Sequence, residues 1–397
     1  MKRSNKIIFT GGGSGGHLMI MKGMIDYLNT QGFEALGYKR PEILIVGGRL
    51  GMIDDPGISL DEKLIPTFGL PYEFIRGGKL HRALKWATIK LLFGFLPGIF
   101  DSYKVIKRFD PDTIFATGGY VCLPMIIVGW FLRKKIVIHE QTLTAGLTNR
   151  IGGIFAHKIL LTFEESKHYF ANKKSIVTGN IVRDEVINPL CEISDLGHLV
   201  DSAKKRNKKI IYITGGSLGA HRINQFIVDH LLELCENYVL IWQTGDNRFH
   251  SDYQKYRLLV GDDRFQLLAL EDKADYIVGN DVYITKFVRN EIGFIFQNAD
   301  IVVARPGANT LYELAVLGKK AILIPLWVTS HSDQENNAVW YQNNFTGKII
   351  NEKDLNLENF QNTISQLIKS KSKKLYIDYK NISQKIWKEI LYYSENH

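Results

Sequence analysis

Two glycine-rich loops, about two hundred residues apart, limit what this chain can fold into more than any other feature. The first follows the apolar run Lys6 to Thr10 and reads Gly-Gly-Gly-Ser-Gly-Gly-His, Gly11 to His17. The second follows Lys209 to Thr214 and reads Gly-Gly-Ser-Leu-Gly-Ala, Gly215 to Ala220. A glycine turn between a strand and a helix brings backbone N–H groups up to a ligand and favours an anion. One such turn is a weak sign. Two in register predict two nucleotide-binding-type α/β domains in tandem.

The surrounding pattern agrees. Short runs apolar on both faces predict central parallel strands at 6–10, 43–46, 113–116, 136–138 and 158–162, with helices such as 17–30 and 120–133 between them. After the polar stretch 188–208 the pattern restarts, with strands predicted at 209–214, 238–243, 265–269, 301–304 and 321–324 and helices at 220–235, 309–318 and 333–343. The fold class is therefore α/β with two Rossmann-like parallel-sheet domains, over 1–180 and 181–373. An amphipathic helix within 374–397 is a candidate to pack back on the first domain.

Charge divides unevenly. The net charge is +9, and residues 1–160 hold 21 Lys/Arg against 12 Asp/Glu, so the whole excess lies in the N-terminal part. Nucleic acid, an anionic membrane and a phosphorylated substrate all suit such a surface. Segment 79–109 favours the membrane: seven Lys/Arg and one acid flank Leu84, Trp86, Ile89, Phe93, Leu96 and Phe100. Cations around an apolar, aromatic face fit a lipid headgroup interface. No nucleic-acid module is recognisable. Met1-Lys2-Arg3 runs straight into the first strand, and no uncharged apolar run reaches spanning length, so neither a signal peptide nor a membrane span is expected. The three cysteines are far apart and fit a reducing compartment.

Several polar groups fall at strand ends, where open α/β sheets bind ligands. Gly118-Gly119-Tyr120 follows the strand at 113–116, and His139-Glu140-Gln141 ends the strand at 136–138. Ala304 to Thr310 follows the strand at 301–304, and Glu313 then falls in the first turn of the next helix, as a cap or as a ribose ligand. The run His331 to Asn337 offers the donors and acceptors that reading sugar hydroxyls requires. Gly11, Gly13 and Gly16 also fit the dinucleotide fingerprint, so an NAD-dependent oxidoreductase is an alternative. A ribose-binding acid about 20 residues on is hard to place, which counts against it.

Taken in order, Gly12 to His17, Gly118-Gly119-Tyr120, His139-Glu140-Gln141 with Ala145 to Asn149, Thr178-Gly179-Asn180 with Arg183, Gly215-Gly216-Ser217 with Gly219-Ala220, Gly307-Ala308 with Thr310 and Glu313, and Gln334 with Asn337-Ala338 resemble one family. It is the GT-B glycosyltransferases of the MurG type, which move N-acetylglucosamine from UDP-N-acetylglucosamine to lipid I, giving lipid II for peptidoglycan. The resemblance implies two Rossmann-like domains facing a cleft, an inverting mechanism, UDP-N-acetylglucosamine as donor substrate, no obligatory cofactor or metal, and a peripheral place on the cytoplasmic membrane face. It implies that Ser217 and Arg183 meet the donor phosphates, that Glu313 holds the ribose, and that Ala308 and Thr310 line the same site. The backbone at Val288 would meet uracil, and Gln334 and Asn337 would read the sugar. Gly12, Gly13, Gly15, Gly16, Gly118, Gly119 and Tyr120 would hold the acceptor pyrophosphate. His17 is the first candidate for the catalytic base and Glu140 the second. The chain departs from the family at Leu123, Thr142, Pro306 and Asp333, so a different lipid acceptor, such as a diacylglycerol, is the nearest alternative.

Overall fold

A computed structural model describes residues 5–13, 15–30, 39–49, 59–76, 88–170, 174–191, 194–246, 250–326, 333–378 and 381–395. The chain forms two compact units, Met1–Ile181 with Asp378–His397, and Val182–Ile377.

The first unit is built on seven strands: β1 (Lys6–Thr10), β2 (Glu42–Gly48), β3 (Tyr72–Ile75), β4 (Thr113–Ala116), β5 (Lys135–Glu140), β6 (Lys158–Leu161) and β7 (Ser175–Val177). They lie in the order β3-β2-β1-β4-β5-β6-β7, and every pairing is parallel. Parallel strands need crossover connections, so helices cover both faces and the strands read as unbroken apolar runs. Ile8, Ile114, Ile136 and Ile138 pack on one face against Met125 and Ile126 of the helix Cys122–Phe131. Phe9 and Phe115 point the other way. Phe9 packs against Trp387 of the helix Ile382–Glu395, ring centroids 5.4 Å apart and the planes tilted by 31°. The Trp387 indole N–H donates to the Met24 carbonyl at 3.1 Å, and Lys385 Nζ donates to the Val177 carbonyl at 2.9 Å.

The second unit holds β8 (Lys209–Thr214), β9 (Tyr238–Gln243), β10 (Glu271–Asp272), β11 (Tyr276–Val278), β12 (Val282–Thr285), β13 (Ile301–Ala304), β14 (Lys320–Leu323) and β15 (Gly347–Ile349). The order is β10-β11-β12-β9-β8-β13-β14-β15. Strands β12, β9, β8, β13, β14 and β15 pair in parallel as expected, and β10 and β11 add an antiparallel edge. The strand predicted at 265–269 is instead a 3₁₀ helix, Asp263–Leu268. The Asp262 carboxylate caps it by accepting from the Arg264 N–H, and Leu267 points to solvent. The predicted helix 220–235 is two, His221–Asp229 and Leu231–Asn237, broken at His230. In both units the strand ends carrying the motif residues lie on the C-terminal edge of the sheet, which positions every loop discussed next.

Candidate active site

In the first unit the β1 loop leads into the helix Gly15–Thr30, whose third residue is His17. The loop closes on the β4 turn: Thr117 N–H donates to the Thr10 carbonyl and Gly12 N–H to the Gly118 carbonyl. Gly118 and Gly119 have φ of 111° and 89°, left-handed conformations open to glycine. A Cβ at Gly119 would meet the Gly12 carbonyl at 1.9 Å, and one at Gly118 would meet the His17 ring at 2.7 Å. These two glycines are there so that the loops and the imidazole can touch.

His17 is held from two sides. The Thr117 hydroxyl donates to its backbone carbonyl at 3.1 Å, and Gln141 Oε1 lies 2.9 Å from its Nδ1. Burial lowers the imidazole pKa below its ordinary 6.5; the charge of Glu140 and the bonds to Gln141 and Thr117 pull against that without reversing it. The ring is therefore neutral near pH 7 and able to take a proton.

Glu140, the second base candidate, is buried and already engaged. Its Oε1 accepts from the Thr142 N–H and lies 2.7 Å from the Thr142 hydroxyl. Its Oε2 accepts from Gly146 N–H and Asn149 Nδ2 at 3.0 Å each. A carboxylate offers about four acceptor positions, and four donor groups surround this one. Thr142, a departure from the family pattern, thus works within this knot. His139, beside it, is fully buried; its Nε2 bonds the Gly179 carbonyl at 3.2 Å, and burial pushes its pKa down to about 4.

A residue the sequence did not single out sits under the glycine loop. Asp61, buried on the short helix Leu60–Leu64, accepts from Gly13 N–H at 3.0 Å and Gly48 N–H at 2.9 Å. Gly12 and Gly13 are the residues expected to hold the acceptor pyrophosphate. Their amides are taken by Gly118 and Asp61, and a carboxylate at Gly13 repels a phosphate. Gly15 and Gly16 open the helix, whose N-terminus keeps its preference for anions. Tyr120 lies over the same floor: a Cβ at Gly13 would meet its ring at 3.1 Å. Ser14 lies outside the described residues.

In the second unit the β8 loop turns through Gly216 and Gly219, with φ of 81° and 74°. Ser217 is exposed at its tip. Gln243, at the end of β9, was not predicted and ties this loop to its neighbours. Its Nε2 donates to the Gly216 carbonyl, and its Oε1 accepts from Tyr212 and from Val288 N–H, each at 3.1 Å. The Val288 amide expected to meet uracil is thus occupied, and a base using it has to displace Gln243.

Arg183 and Glu313 meet. The guanidinium Nε and Nη2 donate to the two carboxylate oxygens at 2.7 Å each. Burial disfavours the charged guanidinium, but Glu313 outweighs it and holds the pKa above its ordinary value. Glu313 is the sixth residue of the helix Ala308–Leu317, not in its first turn, so it is no helix cap. Gly307, the residue before that helix, offers no side-chain cap, which leaves the N-terminus around Ala308 and Thr310 suited to an anion. Gln334 and Asn337 lie on the helix Asp333–Asn344. Gln334 Oε1 accepts from Leu326 N–H, and Asn337 Nδ2 donates to the Pro306 carbonyl. His331 and Ser332 lie outside the described residues. Among the described residues no group of three or more His, Cys, Asp or Glu could hold a metal ion.

The chain is similar to known proteins along nearly its whole length. Residues 52–161 match the glycosyltransferase family 28 N-terminal domain and residues 210–390 its C-terminal domain. A UDP-N-acetylglucosamine–N-acetylmuramyl-(pentapeptide) pyrophosphoryl-undecaprenol N-acetylglucosamine transferase 2 of Bacillus cereus is 31% identical over 371 residues, 93% of each chain. The transferase of that name from Clostridium novyi is 30% identical over 93% of this chain and 92% of its own. Among solved structures, Acinetobacter baumannii MurG superposes with a TM-score of 0.64 at 19% identity, covering 98% of this chain and 99% of its own. A UDP-GlcNAc 2-epimerase from Neisseria meningitidis, bound to UDP-GlcNAc, shares the fold with a TM-score of 0.61 at 13% identity, covering 98% and 100%. With relatives at this identity along nearly its whole length, the chain belongs to glycosyltransferase family 28 and is a MurG-type, UDP-sugar-dependent glycosyltransferase of the GT-B fold.

Proposed function

We propose that this enzyme transfers N-acetylglucosamine from UDP-N-acetylglucosamine to the muramoyl 4-hydroxyl of lipid I, forming lipid II for peptidoglycan synthesis. The observation that carries this reading is the near full-length match to transferases whose names state that donor and that acceptor. The geometry supports the division of labour: a neutral imidazole on a glycine floor in one unit, an uncapped helix N-terminus and a paired arginine in the other.

An alcohol is a weak nucleophile, and a positioned base gains about 10²–10⁴-fold. His17 takes that proton as the hydroxyl attacks the anomeric carbon; Glu140 supports it as a fixed negative charge rather than as the base. UDP leaves as the bond to its β-phosphate breaks, so an α-linked donor gives a β-linked product. Arg183, through the Nη1 that bonds no described residue, the Ser217 loop and the helix N-terminus at Ala308 and Thr310 stabilise the growing charge. Glu313 takes the ribose hydroxyls, Gln334 and Asn337 the sugar, and the Val288 backbone the base. The acceptor pyrophosphate sits against Gly118, Gly119, Tyr120 and the helix opening at Gly15 and Gly16.

Membrane attachment belongs to the same reading. The helix Thr88–Phe109 exposes Leu96, Phe100 and Tyr103, and the helix packed against it exposes Trp130 and Phe131. Lys104 Nζ lies 4.3 Å from the centre of the Phe100 ring. Residues 79–87 of the basic segment lie outside the described residues. No described helix is long and apolar enough to cross a membrane, and the proposed place is the cytoplasmic face, held peripherally. The test is transfer of radiolabelled N-acetylglucosamine to a lipid I analogue, with UDP-glucose and UDP-galactose as competitors. Labelled lipid II, undiminished by either competitor, is expected. Transfer to diacylglycerol but not to lipid I would overturn the acceptor.

A further inference from the structure

Gln141 makes two hydrogen bonds from a fully enclosed amide. Its Nε2 lies 2.6 Å from the Thr117 carbonyl, and its Oε1 lies 2.9 Å from His17 Nδ1. The first contact fixes which end of the amide is which. A carbonyl oxygen only accepts, so the group facing it must be the NH₂. Turning the amide over would set two carbonyl oxygens 2.6 Å apart with no proton between them. The oxygen therefore faces His17, and an amide oxygen only accepts. The proton on the neutral imidazole must then be on Nδ1, and Nε2 carries the lone pair.

From this geometry we infer that Gln141 is a positioning residue that selects the Nδ1–H tautomer of His17 and so leaves Nε2 as the basic nitrogen. This inference deepens the reading of His17 as the base. The other charged or titratable groups around the ring are Glu140 and Asp61, whose charges favour its protonation, and His139. None of the three hydrogen-bonds to the ring, so none sets the tautomer. The Thr117 carbonyl accepts from the Gln141 amide and, with its second lone pair, also bonds the ring. A dyad of this kind orients an imidazole as a carboxylate partner does, but adds no charge and leaves the pKa low.

The experiment records long-range ¹H–¹⁵N correlations of uniformly ¹⁵N-labelled full-length protein at pH 8, with the His17 signals assigned by their loss in His17→Ala. The wild type is expected to show a protonated Nδ1 and a bare Nε2. Gln141→Met removes the acceptor, and the ring is expected to move to the Nε2–H form that free histidine favours. Its kcat should fall by roughly 10²-fold, the low end of what a general base supplies, with KM for UDP-N-acetylglucosamine unchanged. In Gln141→Glu the oxygen facing the Thr117 carbonyl must carry a proton, so the other oxygen still accepts from Nδ1 and the Nδ1–H signal should persist. Unchanged KM for the donor in both variants reports an intact fold. A wild-type ring protonated on Nε2, or a Gln141→Met ring still protonated on Nδ1, would overturn the inference. Undiminished turnover in His17→Ala would instead remove the base reading while leaving the tautomer result standing.

Discussion

Glu313 and Arg183 show how much one pair of side chains decides. Both were expected to bind the donor, yet each is the other's partner before any donor arrives, through two 2.7 Å bonds. Breaking a buried pair by deleting one partner costs about 3–5 kcal/mol. Arg183 is 34% exposed, so water recovers part of that cost. Glu313→Ala is expected to weaken UDP binding by tenfold or more while the protein stays folded, as titration calorimetry beside a melting curve would show. Unaltered UDP affinity would leave Glu313 with only its arginine to hold.

His139 gives a pH prediction at the same scale. Its pKa is about 4 in the fold against 6.5 as its ordinary value. Above pH 6.5 it is neutral in both states and costs nothing. As pH falls from 6.5 towards 4, the unfolded chain binds a proton that the folded chain refuses, so stability declines by up to about 1.4 kcal/mol per pH unit. In His139→Gln, which keeps an N–H for the Gly179 carbonyl, urea midpoints should fall less steeply across that window. An identical slope would mean that His139 is not a buried neutral ring. His17 also has a lowered pKa, so the acidic limb of the wild-type rate profile should lie below 6.5.

At the level of elements, the legible parts are those whose signal is local. β1, β4, β5, β8, β9 and β13 are apolar on both faces, and each glycine loop follows its strand directly. β10 and β11 escaped notice because Glu271 and Asp272 are exposed and polar, with no alternation to read. The run Phe265 to Ala269 looked like a strand because its composition does; Asp262 and the left-handed Ala269 turn it into a 3₁₀ helix instead. The contacts that complete the sites are less visible still. Gln141 reaches a residue 124 positions away and Asp61 one 48 away. No periodicity marks such pairs, although Gln141 adjoins Glu140 in a motif that was already suspect.

Two helices carry predictions. Trp387 is fully buried against Phe9, and truncating a buried tryptophan typically costs about 3–5 kcal/mol. Trp387→Ala should lower the denaturation midpoint accordingly; a surface-like change of under ~0.5 kcal/mol would mean the last helix adds nothing to the first unit. On the proposed membrane face, replacing Phe100, Trp130 and Phe131 with serine should release the protein from anionic vesicles in flotation assays. Undiminished flotation would remove those side chains from the interface.

At the scale of the whole molecule, the two glycine loops are one device used in two ways. In the second unit the loop, Arg183 and an uncapped helix suit a nucleoside diphosphate. In the first, Asp61 has claimed part of the loop, and what remains is a floor for an imidazole and a helix opening for an anion. In the proposed function the basic excess of residues 1–160 serves the acceptor side, meeting a lipid-linked pyrophosphate and an anionic surface. The most direct measurement is the rate of N-acetylglucosamine transfer to a lipid I analogue by wild type and His17→Ala, with UDP affinity measured on the same samples. The account predicts a loss of about 10²–10⁴-fold in rate with UDP affinity unchanged; transfer at the wild-type rate by the variant would contradict it.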